Sequence, residues 1–156
     1  MWKNIGLVIL GLVLGCVLGV FITMAYFGKT MATGMFMLQE KEISQIGEAS
    51  EDAYHNQPSE VAVWALENYV KTLNELKEER SSLNVKNPYF ILSPGTDLVF
   101  AHARLGKLYK QLGNDEKCRY HFEQAISLSK DTNLKHIDTE EDCLRILDAL
   151  DKVKKQ

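Results

Sequence analysis

The N-terminal part of the chain is a nearly continuous run of apolar residues, and the rest alternates between apolar and polar positions. No charged residue occurs from Ile5 to Phe27. At about 1.5 Å per residue this run spans about 30–35 Å, which is enough to cross the hydrocarbon core of a bilayer. Trp2 precedes the run and Tyr26 lies near its end, where amphipathic rings favour a membrane interface. The pattern predicts a single transmembrane helix over this run, behind a short flank at 1–4.

The residues after the run keep helical spacing up to the C-terminus. The segment 28–57 predicts an amphipathic juxtamembrane helix or linker, with Gly28 and Gly34 as points where the helix could break. A second helix begins at Pro58 or Ser59, because proline suits the first turn of a helix. The apolar positions of these two helices are Met35, Leu38, Ile43, Ile46, Ala49, Ala53, Val61, Trp64, Ala65, Tyr69, Val70, Leu73 and Leu76.

Proline-containing breaks delimit a loop at 84–95 around the apolar stretch 89–92, which either packs against the helices or binds a partner. Capping and turn residues then predict three further helices. They run from Thr96 or Asp97 to about Leu112, from about 115 to 129 after a Gly113-Asn114 turn, and over about 139–154. The predicted fold class is therefore all-α: a single N-terminal transmembrane helix followed by a small helical domain at 58–156.

Six residues of the third and fourth helices have types and spacing that define a motif over about 99–132. They are Leu105, Gly106, Tyr109, Cys118, Phe122 and Ala125. The motif resembles one tetratricopeptide repeat (TPR), a helix–turn–helix unit in which small and large residues pack two helices closely. Two positions depart from the repeat: His102 stands where it prefers Trp, and Lys130 where it prefers Pro. The resemblance implies a TPR-like domain in which the neighbouring helices, including the last one, cap this repeat.

The resemblance also implies a binding surface, because TPR folds bind peptides and partner helices along a concave face formed mainly by the first helix of each repeat. Carried over position by position, the exposed groove residues are Phe100, Ala103, Arg104, Lys107, Lys110 and Gln111. The positive charges among them suit an acidic peptide or a C-terminal carboxylate. The alternative, that these side chains only solubilise an exposed face, stays open on the sequence alone.

Small residues recur every four positions within the apolar run and form one smooth stripe on a helix. They are Gly11, Gly15, Gly19 and Thr23. Such a stripe lets a second helix approach closely, which predicts a homodimer or docking against another membrane subunit. Chance spacing is the alternative, because glycine is common in membrane helices. The residues that end at Cys16 also resemble a bacterial lipobox, but the apolar run continues past them, which favours an uncleaved anchor.

Charge separates the two parts of the chain. All 21 acidic residues lie after residue 39, and of the 18 basic residues Lys3 alone precedes Lys29. The domain is therefore acidic, which is the wrong sign for non-specific binding to nucleic acid. Lys3 and the N-terminal amine favour a cytoplasmic N-terminus by the positive-inside rule, which places the domain on the extracytoplasmic (periplasmic) side.

The sequence lacks the short motifs that mark common enzyme and metal sites, such as a phosphate loop, G-x-S-x-G, H-E-x-x-H or C-x-x-C. The histidines at positions 55, 102, 121 and 136 have no metal-ligand spacing between them. We therefore predict no enzymatic activity, no cofactor and no metal. The predicted function is a membrane-anchored, TPR-like protein–protein interaction module, acting as an adaptor or accessory subunit of a membrane complex. The alternatives are a structural subunit that docks through the glycine stripe, and a bacterial lipoprotein.

Overall fold

The computed structural model describes residues 2–83, 93–134 and 136–153, with side chains from residue 15 onward except at 29, 32 and 80–83. Within these ranges the chain forms five α-helices and no strand, which confirms the predicted all-α class. The helices are α1 (Trp2–Asn56), α2 (Ser59–Leu83), α3 (Pro94–Gln111), α4 (Asp115–Ser129) and α5 (Glu140–Val153). The apolar stretch 89–92, for which two roles were open, lies outside the described residues.

Helix α1 is long, and its N-terminal part is apolar. It continues through Gly28 and Gly34, so neither glycine ends it. Most large apolar side chains from Val17 to Leu38 are exposed. The helix is long and apolar enough to cross a membrane, as the sequence predicted. The chain divides into two compact units, Met1–Gln39 and Glu40–Gln156, so the structural boundary lies upstream of the one at 57/58 that the sequence suggested.

The C-terminal part of α1 belongs to the second unit because it packs against other helices of that unit. Ile43 is buried in a cluster with Leu73 and Leu76 of α2 and Leu98 of α3. Further along α1, Tyr54 packs against the main core. This part of the predicted juxtamembrane segment therefore forms part of the domain itself.

Helix α2 buries Leu73 and Leu76 as its apolar pattern predicted, but its first two turns bury a different face from the one suggested there. Val61 is 45% exposed and Trp64 is 69% exposed, although both were assigned to the apolar face. The first half of α2 carries two overlapping apolar stripes, one with Val61 and Trp64 and one with Ala62 and Leu66. Helix α3 packs against the second stripe. The buried residues of α2 are Ala62, Val63, Leu66, Leu73 and Leu76.

Helix α3 begins earlier than predicted. Ser93 is its N-cap residue and Pro94 occupies the first turn, where the missing N–H of proline costs no hydrogen bond. The predicted turn after α3 is confirmed, because Gly113 has a φ of 71°, in the region that glycine adopts without strain. The side chain of Asn114 then caps α4 by accepting a hydrogen bond from the Lys117 backbone N–H at 3.1 Å.

Helix α5 begins with the predicted capping sequence. The Thr139 hydroxyl accepts from the backbone N–H of Asp142 at 3.2 Å, and the Asp142 carboxylate accepts from the backbone N–H of Thr139 at 3.1 Å. The main core lies where α2, α4 and α5 surround α3. Its buried members are Ala62, Val63, Leu66, Val99, Ala101, Ala103, Leu105, Leu108, Tyr109, Cys118, Phe122, Ala125, Ile137, Cys143 and Leu147.

Candidate functional site: a groove between α1, α3 and α5

The α3–α4 hairpin contains the six residues of the predicted repeat, and all six are buried. A Cβ atom built at Gly106 would lie 3.0 Å from three ring atoms of Phe122. A larger side chain at Gly106 must therefore displace the ring, because protein cores are close-packed. The two helices are in the close contact that the motif predicts, while membership of the TPR family stays a prediction.

Tyr109 connects three helices through its hydroxyl group. It donates to the carboxylate of Glu67 of α2 at 2.6 Å and accepts from the ammonium group of Lys117 of α4 at 2.9 Å. The same ammonium group lies 4.7 Å from the centre of the Tyr109 ring. Burial, together with the hydrogen bond to Glu67, raises the pKa of Tyr109. These contacts fix the position of α3 relative to α2 and α4.

Two histidines form a buried pair at the α3–α4 contact. The Nδ1 atoms of His102 and His121 lie 2.9 Å apart, so one ring donates its proton to the other. His121 also stacks on Tyr109, with ring centroids 5.4 Å apart and an angle of 8° between the planes. Burial, followed by the charge of His121, lowers the pKa of His102 to about 4. The pair therefore serves as part of the core in its neutral form.

The predicted groove residues on α3 do not form one free surface. Ala103 is 2% exposed and belongs to the main core, so the expectation that it is exposed is wrong. Phe100 is half-buried and packs against the same core. Gln111 is exposed, as expected. The core position of Ala103 arises because the domain wraps helices around α3 and leaves little of its surface uncovered.

The basic side chains of this set each contact an acidic side chain of the same chain. The Arg104 guanidinium donates to Glu51 of α1 at 2.5 Å, and the Arg104 side chain is only 12% exposed. The Lys107 ammonium group lies 3.1 Å from Asp148 and 3.6 Å from Asp151, both on α5.

Lys110 is also paired with an acidic side chain of the same chain, because its ammonium group donates to the Glu140 carboxylate at 2.6 Å. The predicted basic patch is thus neutralised by α1 and α5. Without net positive charge this face has no long-range attraction for an acidic peptide. The cations that the sequence assigned to an acidic partner are therefore each paired with an acidic side chain of α1 or α5, and an acidic partner stays a prediction.

Removing one of these cations should loosen the attachment of α5. We expect Lys107→Met to lower the free energy of unfolding by about 1 kcal/mol, because Lys107 is partly buried and holds two carboxylates. Chemical denaturation of the full chain measures this change. Lys110→Met is the matched control, and its effect should be smaller because the Lys110–Glu140 pair is more exposed. An equal effect of the two substitutions would contradict this account.

A groove of about 480 Å³ lies between α1, α3 and α5. Its volume is within the range of sites that bind small ligands or a few side chains. Helices α1, α3 and α5 each contribute residues three or four positions apart, which places them on one face, and α2 contributes Tyr69. Two of the predicted residues, Phe100 and Arg104, line this groove, while Lys107 and Lys110 do not. The complete lining is Ser44, Gly47, Glu48, Glu51, Tyr69, Asp97, Phe100, Arg104, Leu150 and Val153.

The groove is acidic. Its lining contains three carboxylates, from Glu48, Glu51 and Asp97, against the single guanidinium of Arg104. That guanidinium is already engaged by Glu51. Burial raises the pKa of Asp97. Burial, followed by the nearby Asp97 charge, raises the pKa of Tyr69 to about 12. The side of the groove formed by α1 and α3, which carries these carboxylates, is therefore suited to binding a cation.

Several of these residues were not identified from the sequence as parts of a site. Gly47 is the clearest case, because a Cβ atom built there would lie 2.8 Å from the Tyr69 hydroxyl oxygen. An isolated glycine within an amphipathic helical pattern often has a packing reason, so Gly47 was a usable signal. For Glu51 and Asp97 the sequence offers no such signal, because their meeting in one groove depends on how separate helices pack.

The glycine stripe of α1 has open surroundings where it is described. A Cβ atom built at Gly15 or Gly19 would have no neighbour within 4 Å. The Thr23 hydroxyl donates to the backbone carbonyl of Gly19 at 2.8 Å. The surroundings of Gly11 lie outside the described side chains. The stripe is thus accessible to another helix, and its role in packing stays a prediction.

Comparison of the chain with protein-family models, with curated proteins and with solved structures gave no match. Among the described residues, no group of three His, Cys, Asp or Glu side chains is placed to hold a metal ion. Of the thiols, Cys16 is exposed, while Cys118 and Cys143 are buried. The candidate site therefore rests on the groove and its charges.

Proposed function

We propose that this chain is a membrane-anchored protein–protein interaction module, acting as an adaptor or accessory subunit of a membrane-associated complex. The observation that carries the proposal is the groove, in which exposed apolar side chains lie beside carboxylates. Leu150 is 39% exposed and Val153 is 74% exposed. Apolar side chains next to fixed charges are typical of surfaces that recognise a protein segment.

The apolar part of α1 supports the membrane anchor. Its large side chains from Val17 to Leu38 are mostly exposed to the surroundings of the chain, and lipid is the medium in which such a surface is stable. In this proposal the helix spans the membrane once, with the N-terminus in the cytoplasm and the helical domain on the extracytoplasmic (periplasmic) side.

The helical hairpins support the TPR-like nature of the domain. In α3–α4, Gly106 faces the ring of Phe122, and between α1 and α2, Gly47 faces the ring of Tyr69. The α3–α4 pair packs closely through its glycine, whereas at Gly47 it is the hydroxyl end of the Tyr69 side chain that reaches the glycine. Helix α2 packs against α3, which agrees with the capping role that the sequence assigned to neighbouring helices.

The test is a pulldown of the tagged full chain in a mild detergent, followed by mass spectrometry. We expect Leu150→Ser combined with Val153→Ser to reduce recovery of the main partner by about tenfold, because central apolar contacts each contribute more than about 1 kcal/mol to binding. Both side chains are exposed, so the fold should persist. Recovery of the same partners in the same amounts by this variant would overturn the groove-based proposal.

A second candidate is a structural subunit that docks through the glycine stripe. The open space at Gly15 and Gly19 is the observation that favours it. In the same pulldown, Gly15→Leu combined with Gly19→Leu would then remove the partner, either another membrane subunit or a second copy in a homodimer, while the groove variant would retain it. The two candidates therefore predict opposite results for the same pair of variants.

A further inference from the structure

We propose that the groove between α1, α3 and α5 binds a basic amphipathic segment of a partner protein, in which Lys or Arg side chains lie beside apolar ones. The inference rests on the proposed interaction function and specifies the chemistry of the partner. It also reverses the charge that the sequence predicted for the ligand, because the basic residues of α3 are already paired within the chain.

Charge complementarity is the first argument. Glu48 and Asp97 border the groove from opposite helices, and neither has a salt-bridge partner among the described residues. Arg104 is held by Glu51, so it leaves these two carboxylates uncompensated. An incoming ammonium or guanidinium group would be attracted by both, whereas an incoming carboxylate would be repelled.

The second argument is the arrangement of polar and apolar lining. Asp97 and Phe100 are three residues apart on α3 and therefore lie on one face, and Leu150 and Val153 have the same spacing on α5. The cationic part of a ligand can meet the α1–α3 side while its apolar part contacts the ring of Phe100 and the α5 side chains. Lys and Arg suit this geometry because their stems are apolar and their heads are charged.

Asp97 provides the specific anchor in this groove. It is half-buried, and after burial its charge is the next cause that raises the pKa of the Tyr69 hydroxyl. A carboxylate withdrawn from water without a cation is unfavourable, and a ligand cation relieves this cost. The gain on binding should therefore be larger at Asp97 than at the exposed Glu48.

The experiment measures binding of the labelled full chain, in mild detergent, to an array of short synthetic peptides. The peptides share a fixed leucine content and differ only in net charge, from strongly negative (Glu) to strongly positive (Lys). We expect binding to rise with positive charge, and Glu48→Gln combined with Asp97→Asn to weaken binding of the basic peptides by about tenfold, as for loss of one or two charge-assisted contacts.

Matched variants separate the groove from general charge effects. Glu78→Gln combined with Glu123→Gln removes two exposed carboxylates elsewhere and should leave binding within about twofold of the wild type. Glu48→Arg alone should shift the preference towards acidic peptides, and the exposure of Glu48 keeps this variant folded. Circular dichroism checks the helical content of each variant.

Several outcomes would overturn the inference. One is equal weakening by the groove variant and the surface control, and another is a preference of the wild type for acidic peptides. A third is binding to no peptide of any charge, and a fourth is a change in self-association caused only by the groove variant, which would make a second copy the occupant. A groove-dependent partner in the pulldown would still support the proposed function in each of these cases.

Discussion

Replacing Phe122 with alanine is expected to lower the free energy of unfolding of the helical domain by about 3–5 kcal/mol. Phe122 is 2% exposed and fills the space between α3 and α4, opposite Gly106. Its removal deletes a large buried apolar surface and leaves a cavity that two tightly packed helices cannot close. Because domains of this size are stable by only about 5–15 kcal/mol, this loss should leave a large part of the population unfolded at moderate temperature.

The measurement is chemical denaturation of the full chain followed by circular dichroism, with Trp64→Ala as the matched control. Trp64→Ala removes a larger ring, but that ring is mostly exposed, so its effect should be about 0.5 kcal/mol or less. A similar loss from both substitutions would show that the assigned core is wrong.

A double-mutant cycle tests the contact between the glycine and the ring directly. Gly106→Val alone should destabilise by about 1–3 kcal/mol through overpacking against Phe122. In the Phe122→Ala background the valine enters the vacated space, so the combined loss should be smaller than the sum by about 1 kcal/mol. Strict additivity would mean that the two positions do not share a space.

Mild acid is expected to destabilise the domain between pH 6.5 and about 4, through the buried histidine pair. The pKa of His102 is lowered from 6.5 to about 4, first by burial and then by the charge of His121. Burial also lowers the pKa of His121. In this window the unfolded chain binds more protons than the folded one, so the stability is complete above pH 6.5 and falls as the pH decreases.

The expected loss from His102 alone is about 3 kcal/mol by pH 4, because each pKa unit corresponds to about 1.4 kcal/mol. Protonation of both rings also removes the hydrogen bond between the two Nδ1 atoms, since neither nitrogen can then accept. Denaturation midpoints measured across this pH range test the prediction. His102→Gln should flatten the dependence, and His136→Gln, at an exposed position, should leave it unchanged.

The carboxyl groups of Asp97 and Asp142 do not lower the free energy of unfolding between pH 6.5 and about 4. The pKa of Asp97 is raised by burial, so its protonation on acidification adds stability and acts in the opposite direction. The pKa of Asp142 is lowered, mainly by the hydrogen bond from Thr139, so its contribution is lost only below its usual pKa. If His102→Gln keeps the slope of the wild type between pH 6.5 and 4, the pair is not the cause.

The helix ends and turns of this fold were predictable from the sequence wherever capping and turn residues marked them clearly. The turn at Gly113 and Asn114 and the capping box at Thr139 were both predicted, because capping chemistry is decided within a few residues. The apolar run of α1 was equally clear. Local sequence did not decide which face of α2 is buried, because Val61 and Trp64 compete with Ala62 and Leu66 and only the packing of α3 selects between them.

The candidate site was predictable only in part for the same reason. Phe100 and Arg104 do lie in the groove, since helical spacing alone places them on one face of α3. The sequence indicated the basic side chains of α3 but not the carboxylates of other helices that are paired with them. Glu51 is distant in sequence from Arg104, and α5 brings Asp148 to Lys107 from the other direction, so no local pattern indicated that these cations are neutralised.

The packing of the C-terminal part of α1 has a practical consequence for producing the helical domain without its apolar helix. A fragment that begins at Pro58, where the sequence suggested a domain boundary, would lack Ile43 and Glu51. It would uncover the buried Leu73 and leave the Arg104 charge without its carboxylate. Such a fragment should aggregate, whereas one that begins before Glu40 retains every contact of the unit and is the appropriate starting point for soluble expression.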